Sequence, residues 1–138
     1  MDFTNILQPG LKAEASDTVS DKNTASAWGS GDLDVFATPA MIAIMEKAAL
    51  NAAASRLPHG WSTVGTEINV KHISATPRNM KVTASAELLS IDGRALNFKV
   101  EAFDETGKIG EGVHSRFIIE SEKFITKTEA KKDKISQS

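Results

Sequence analysis

The stretch from Val35 to Arg56, VFATPAMIAIMEKAALNAAASR, dictates most of what this chain can fold into. Thr38-Pro39 reads as a helix start: a hydroxyl residue suited to the N-cap, then proline at the first helical position, where a missing N–H costs nothing. Neither glycine nor proline follows until Pro58, and Arg56-Leu57-Pro58-His59-Gly60 ends the helix. At about 100° per residue, Lys47, Asn51 and Ser55 share one narrow polar stripe. Glu46 lies roughly 140° from its centre, among Ile42, Ala49, Leu50 and Ala53. A helix this apolar is covered on most sides, so Glu46 is expected to point into a core or an interface. A carboxylate there is costly unless it is paired, hydrogen-bonded or used.

Composition narrows the setting. At 138 residues the chain has room for one domain whose core needs no disulfide or structural metal. It has no cysteine, which removes disulfides, thiolate metal sites and cysteine nucleophiles and fits a reducing compartment. A formal charge of −2 offers no basic field for nucleic acid. Met1 to Asn5 carries no basic leader segment, and no apolar run approaches the roughly 18 residues of a membrane span. The expectation is a cytoplasmic protein with neither nucleic acid nor membrane as partner.

Along the chain, Leu11 to Val19 reads as a short strand, and Ser20 to Asp34 as a long loop leading straight into the helix start. The loop is either a lid over that end or a mobile surface connection. After the helix the period changes from 3.6 to 2. From Trp61 to Ile73, Thr66, Ile68, Val70 and His72 share one face. Met80 to Ile91 repeats the pattern with Met80, Val82, Ala84, Ala86 and Leu88 inward. Asp92-Gly93 is a two-residue hairpin signal, Arg94 to Phe103 follows, and Ile109 to Phe124 is read as the last strand. Residues 1–125 then form a single domain and residues 126–138 a polar, fraying tail. One early strand, one long apolar helix and four antiparallel strands predict an α+β layer, with a curved sheet wrapped round the helix. This is the hot-dog architecture, and a second subunit often closes its open side.

Three inward residues carry the chemistry. Taken alone, Thr38 is an N-cap worth about 1 kcal/mol. Glu46 taken alone is equally well explained as a buried partner of Arg94 or Arg116, and His72 as a hydrogen-bonded core residue. Together they supply a hydroxyl, a carboxylate and an imidazole, a set suited to hydrolysis of an acyl bond. The helix N-terminus adds N–H groups that stabilise an oxyanion. Because Pro39 has none, Ala40 and Met41 would supply them, with Gly65 as a further donor or merely a bulge. Thr38 and Glu46 lie eight residues apart on the helix, about 12 Å along its axis, so they either bracket an extended group or meet across two subunits. On the last strand Gly110, Gly112, His114 and Arg116 alternate onto one face. The glycines there allow close approach, Arg116 suits a phosphate or carboxylate, and His114 reads as structural. The scattered histidines form no metal motif.

The segments VFATPAMIAIMEKAA, STVGTEINVKHISATP and ELLSIDGRALNFKVEAFDETGKIGEGVHSRFII resemble the fluoroacetyl-CoA thioesterase-like branch of the hot-dog thioesterases. The resemblance implies hydrolysis of a small acyl-CoA thioester, with Thr38, Glu46 and His72 as the catalytic set and His72 as the base. It further implies an oxyanion contact near Gly65, a homodimer, and no cofactor beyond the coenzyme A of the substrate. Phe36 and Arg116 are expected to contact the substrate, with Ile42, Ile68 and Trp28 as further walls. Two departures stand out: Pro39 after the threonine, and a loop (Trp28 to Asp34) without the aromatic cluster that lines the lid of the fluoroacetyl-specific enzyme. Specificity for a fluorinated acyl group therefore does not follow. A non-catalytic acyl-CoA-binding module is the rival reading. A hot-dog dehydratase is the weaker one, because Gly31-Asp32-Leu33-Asp34 lacks that chemistry's histidine.

Overall fold

The computed structural model describes residues 2–135. It runs β1 (Lys12–Thr18), α1 (Ala25–Trp28), α2 (Thr38–Ala54), β2 (Trp61–His72), β3 (Lys81–Asp92), β4 (Ala95–Asp104), β5 (Gly107–Glu120) and α3 (Ser121–Glu129), then a 3-10 turn over Ala130–Lys134. The strands form one antiparallel sheet in the order β1-β3-β4-β5-β2. Its inward rows, Val82, Ala84, Ala86 and Leu88 on β3 and Leu96, Phe98, Val100 and Ala102 on β4, are fully buried. They pack against Met41, Met45, Ala48, Ala49 and Ala52 of α2. Alanines on both surfaces let helix and sheet approach closely, and the sheet curls round α2 in the hot-dog manner. Gly93, at φ +61°, makes the β3–β4 turn.

Four local features differ from the sequence reading, each for a physical reason. Thr38 is not the N-cap of α2. Ala37 is, in extended conformation, and its carbonyl accepts the Met41 N–H at 3.0 Å without any side-chain cap. The Ser20–Asp34 loop is pinned rather than loose: Thr24 caps the single turn of α1, Gly29 closes it at φ +71°, and Asn23 Nδ2 donates to Asp17 Oδ2 and to the Thr18 carbonyl. A β-bulge between Gly65 and Glu67 shifts the face of β2, so that Thr63 before it and Ile68 after it both lie opposite inward residues of β5. Thr66 is the extra residue, exposed, and does not continue the apolar row.

The last strand ends at Glu120, not Phe124. Ser121 N–H donates to the Gly60 carbonyl at 2.9 Å and the chain continues as α3, with Glu122 in its first turn and Lys127 in its last, both favourable to the helix dipole. The polar segment expected from residue 126 is thus helical as far as Lys134 and exposed; residues 136–138 lie outside the described residues. No helix among the described residues is long and apolar enough to cross a membrane.

Candidate active site

The entry to α2 is held by two backbone bonds, Phe36 N–H to the Thr76 carbonyl and Ala37 N–H to the Asn23 carbonyl, both 2.9 Å. They place Thr38, the first residue of α2, against His72, the last of β2. Thr38 Oγ1 lies 2.8 Å from His72 Nδ1. The hydroxyl that was expected to cap the helix is therefore spent on the imidazole. A cavity of about 280 Å³ opens on this pair, lined by Ser30, Phe36, Ile73 and Ser74 as well. Buried Phe36 sets its ring edge-on to His72, 6.5 Å between centroids at 82°. Burial pushes the His72 imidazole below its ordinary value, with the Ser74 backbone opposing, so the ring is neutral and able to accept a proton near pH 7. Its Nε2 is buried without a hydrogen-bond partner among the described residues. When Nε2 carries the ring proton, Nδ1 accepts the Thr38 hydrogen bond and can take its proton. Of the two N–H groups expected to face an oxyanion, Met41 is used within the helix, which leaves Ala40.

Glu46 stands in a second cavity, of about 220 Å³, with Gly65, Thr66, Glu67, Ile68 and His114. Its side chain is 41% exposed, so it sits at the rim of the core rather than inside it. Of the two arginines proposed as its partner, the structure selects Arg116: Nη1 lies 3.9 Å from Glu46 Oε2. Arg94 instead lies over the Trp61 ring, 5.0 Å from its centroid. Arg116 is buried and fixed by donating from Nε to Thr63 Oγ1 (2.7 Å) and from Nη2 to the Thr63 carbonyl (2.9 Å). His114 completes the frame. Its Nδ1 lies 2.7 Å from the Glu67 carbonyl, which can only accept, so Nδ1 carries the proton. Nε2 is then a bare acceptor for Arg116 Nη1 at 3.2 Å. Burial holds the His114 imidazole below its ordinary value, in keeping with this neutral tautomer.

Space is tight at Gly65: a Cβ would come to 3.0 Å from Glu46 Oε2 and 3.3 Å from His114 Cε1, so the Glu46 carboxylate would have to give way by a few tenths of an ångström. Gly110 and Gly112 serve packing instead. A Cβ on Gly110 would collide with Met41, and one on Gly112 with the backbone of Asn69 and Val70. Among the described residues, no group of three or more His, Cys, Asp or Glu is placed to hold a metal.

Within one chain, then, Thr38, His72 and Phe36 line one cavity, while Glu46 and Gly65 line another, with Arg116 beside them at 3.9 Å from Glu46. Ile68 lines the second, not the first. Trp28 lines neither: it is 46% exposed and donates from Nε1 to the Lys22 carbonyl at 2.6 Å. His114, read from the sequence as structural, is part of the frame that holds Arg116. Its two-residue spacing from Arg116 puts both on one strand face, beside the Gly65 bulge.

Comparison with known proteins places the chain among acyl-CoA thioesterases. Residues 19–122 match the family described as fluoroacetyl-CoA-specific thioesterase. The fluoroacetyl-CoA thioesterase of Streptantibioticus cattleyicolor is 44% identical over 98 residues, 71% of this chain and 70% of that protein. The solved structure of the fluoroacetyl-CoA thioesterase FlK superimposes with a TM-score of 0.83 at 35% identity, covering 91% of this chain and 97% of that one. A threonine-to-serine variant of FlK in complex with acetyl-CoA gives 0.83 at 34% identity over 91% and 98% of the two chains. The chain belongs to the fluoroacetyl-CoA-specific thioesterase family and is an acyl-CoA thioesterase.

Proposed function

We propose that this chain hydrolyses a small acyl-CoA to the free acid and coenzyme A, with no preference for a fluorinated acyl group. We propose further that it works as a cytoplasmic homodimer, each site drawing Thr38 and His72 from one subunit and Glu46 from the other. The observation that carries the reading is the 2.8 Å bond between Thr38 Oγ1 and His72 Nδ1 in a cavity at a helix N-terminus. His72 acts as base, on the Thr38 hydroxyl or on a water that Thr38 holds. The oxygen attacks the thioester carbonyl, the oxyanion is met by free N–H groups such as that of Ala40, and the C–S bond breaks as the coenzyme A thiolate leaves and takes up the proton. Where the Thr38 oxygen is the attacker, a water activated by His72 then cleaves the acyl-threonine ester, releasing the free acid and returning the proton to Thr38. Each oxyanion donor is worth about 3 kcal/mol. No step needs a cofactor besides the coenzyme A carried by the substrate.

Two observations support the shared site. Glu46 stands about 12 Å along α2 from Thr38, beyond the reach of side chains within one chain. Among the described residues the outer edge of β2 has no strand partner, and Ile42 and Leu50 beside Glu46 are only partly buried, so a second copy has both a strand edge and an apolar strip to cover. The absence of cysteine fits a reducing cytoplasm.

The cavity itself favours a small, unfluorinated acyl group. At about 280 Å³ it has no room for a long chain. The neighbouring loop contributes Ser30, whereas Leu33 is 69% exposed and Trp28 is turned away. Fluorine in place of hydrogen changes size and polarity slightly, and the loop brings only Ala25 and Ser30 to the cavity wall, with no large apolar side chain to read the difference. The test compares kcat/KM across acetyl-, branched, aromatic and fluoroacetyl-CoA. Acetyl-CoA should be a good substrate, and a preference for fluoroacetyl-CoA above about a thousandfold, roughly 4 kcal/mol, overturns the assignment.

A further inference from the structure

The reacting pair, Thr38 and His72, is held from behind by residues that do not line its cavity. Thr76 is fully buried and lies outside both cavities of the site. The proline that follows it disfavours helical backbone there, and the segment instead runs antiparallel to the approach to α2, with Val35 bridged to Pro77. The Thr76 carbonyl takes the Phe36 N–H at 2.9 Å, and the Thr76 hydroxyl donates to Asp104 Oδ2 at 2.8 Å.

Asp104, the last residue of β4, is itself locked. Its Oδ1 accepts from the Thr106 N–H (2.8 Å), the Thr106 hydroxyl (2.7 Å) and the Gly107 N–H (3.2 Å), all inside the β4–β5 turn. Oδ2 is left to meet Thr76. On the other side of the pair, His72 lies opposite Gly110 of β5, and the Ile73 N–H donates to the Ile109 carbonyl at 2.7 Å. One hairpin, β4–β5, therefore holds both partners: His72 through β5, and the start of α2 through Asp104, Thr76 and Phe36. The helix start has no side-chain cap of its own, so its position depends on these outside contacts.

From this chain of contacts we propose that the Thr76–Asp104 hydrogen bond sets the distance between Thr38 and His72, which makes Thr76 and Asp104 positioning residues for thioester hydrolysis. The hydroxyl aims the Thr76 carbonyl, and the carbonyl fixes Phe36. Phe36 in turn carries the ring set against His72 and the backbone that leads two residues on to Thr38. Reacting geometry tolerates little error: a displacement of about 1 Å costs on the order of a hundredfold in rate. A buried hydroxyl donating to a carboxylate is a strong, directional support for such a geometry. The proposal rests on the reading in which His72 is the base, and it adds what holds that base to its hydroxyl.

The test uses Thr76→Val, which keeps the buried shape and removes the hydroxyl, and Thr76→Ser, which keeps the hydroxyl. Steady-state kinetics with acetyl-CoA, well below the melting temperature, are paired with NMR titration of the His72 imidazole, assigned by its loss in His72→Ala. Thr76→Val should lower kcat about tenfold or more with KM within about twofold, since no group lining the cavity is lost. Its His72 titration should move upwards, towards the ordinary imidazole value, as the loosened cavity admits water to the ring. Thr76→Ser should recover most of kcat and the wild-type titration. Asp104→Ala removes the acceptor from a half-buried turn, should match Thr76→Val, and carries the test if the valine variant does not fold. Full kcat in these variants, whatever happens to their melting temperature, makes the bond merely structural and overturns the proposal. Equal losses in the serine and valine variants overturn it too. If His72→Ala proves fully active, the Thr38–His72 mechanism falls; a His72 titration that shifts in Thr76→Val and not in Thr76→Ser still upholds the positioning role.

Discussion

The two halves of the site are built in different ways. At the start of α2, Thr38 and His72 sit at the ends of their elements and touch directly, 2.8 Å apart, beside solvent. At the middle of α2, Glu46 faces an arginine at 3.9 Å whose position depends on Thr63, His114 and the bulge at Gly65. The first half is a short contact that needs few supports, as a proton transfer demands. The second is a half-exposed carboxylate held by a buried frame, suited to orienting a group rather than to taking its proton. That difference predicts which changes stop the chemistry and which only loosen it.

The largest effects belong to the direct contacts. His72→Ala should lower kcat for acetyl-CoA at least a hundredfold, and Glu46→Gln, which removes the carboxylate that orients the reacting groups, should do the same. Both proteins should keep the wild-type circular dichroism spectrum. Variants that lose stability but retain specific activity would show that these are core residues only.

A smaller effect is expected from the frame. Arg116→Lys keeps a charge but cannot reproduce the fork that holds Thr63 and His114, so kcat/KM should fall about tenfold and stability by about 2 kcal/mol, read from the urea midpoint. A variant with an unchanged midpoint and lowered activity would move Arg116 from the frame into direct contact with the substrate.

The smallest effects are those of pH. The base works when neutral, and burial holds His72 below the ordinary 6.5. The acid limb of kcat/KM should therefore fall below pH 6.5 and the profile be flat through neutrality. A limb centred above 6.5 would mean that the imidazole is stabilised as a cation. Stability has the same sign. With His72 and His114 both depressed in the fold, the unfolded chain binds more protons as pH drops below 6.5. Their contribution is complete above that value and is lost as pH falls towards the folded-state values.

Much of this was legible in the sequence because it is written in local patterns. The proline at the helix start and the long glycine-free run gave α2, and the period-2 rows gave β3, β4 and the strand that ends in His72. Thr38, Glu46 and His72 could be singled out by where their polar groups fell on apolar faces. Gly65 offered a bulge as one reading, but Thr66 as its extra residue was not readable, because that reflects what β5 places opposite β2, a long-range fact. The same holds for the choice of Arg116 over Arg94, since both strands offer an arginine and only the fold decides which meets Glu46. The cap at Ala37 escaped because a threonine before a proline satisfies the capping rule equally well one position away. Phe124 misled the end of β5 by prolonging the alternation into what is the first turn of α3.

The central claim is that a working site takes Thr38 and His72 from one subunit and Glu46 from another. Co-expression of His72→Ala and Glu46→Gln chains carrying different tags allows the mixed dimer to be isolated. Each mixed dimer then holds one site with both wild-type residues and one with neither, so it should regain about half the activity of the wild-type dimer. A mixed dimer no more active than its two parents would contradict the shared site, as would a chain that sediments as a fully active monomer.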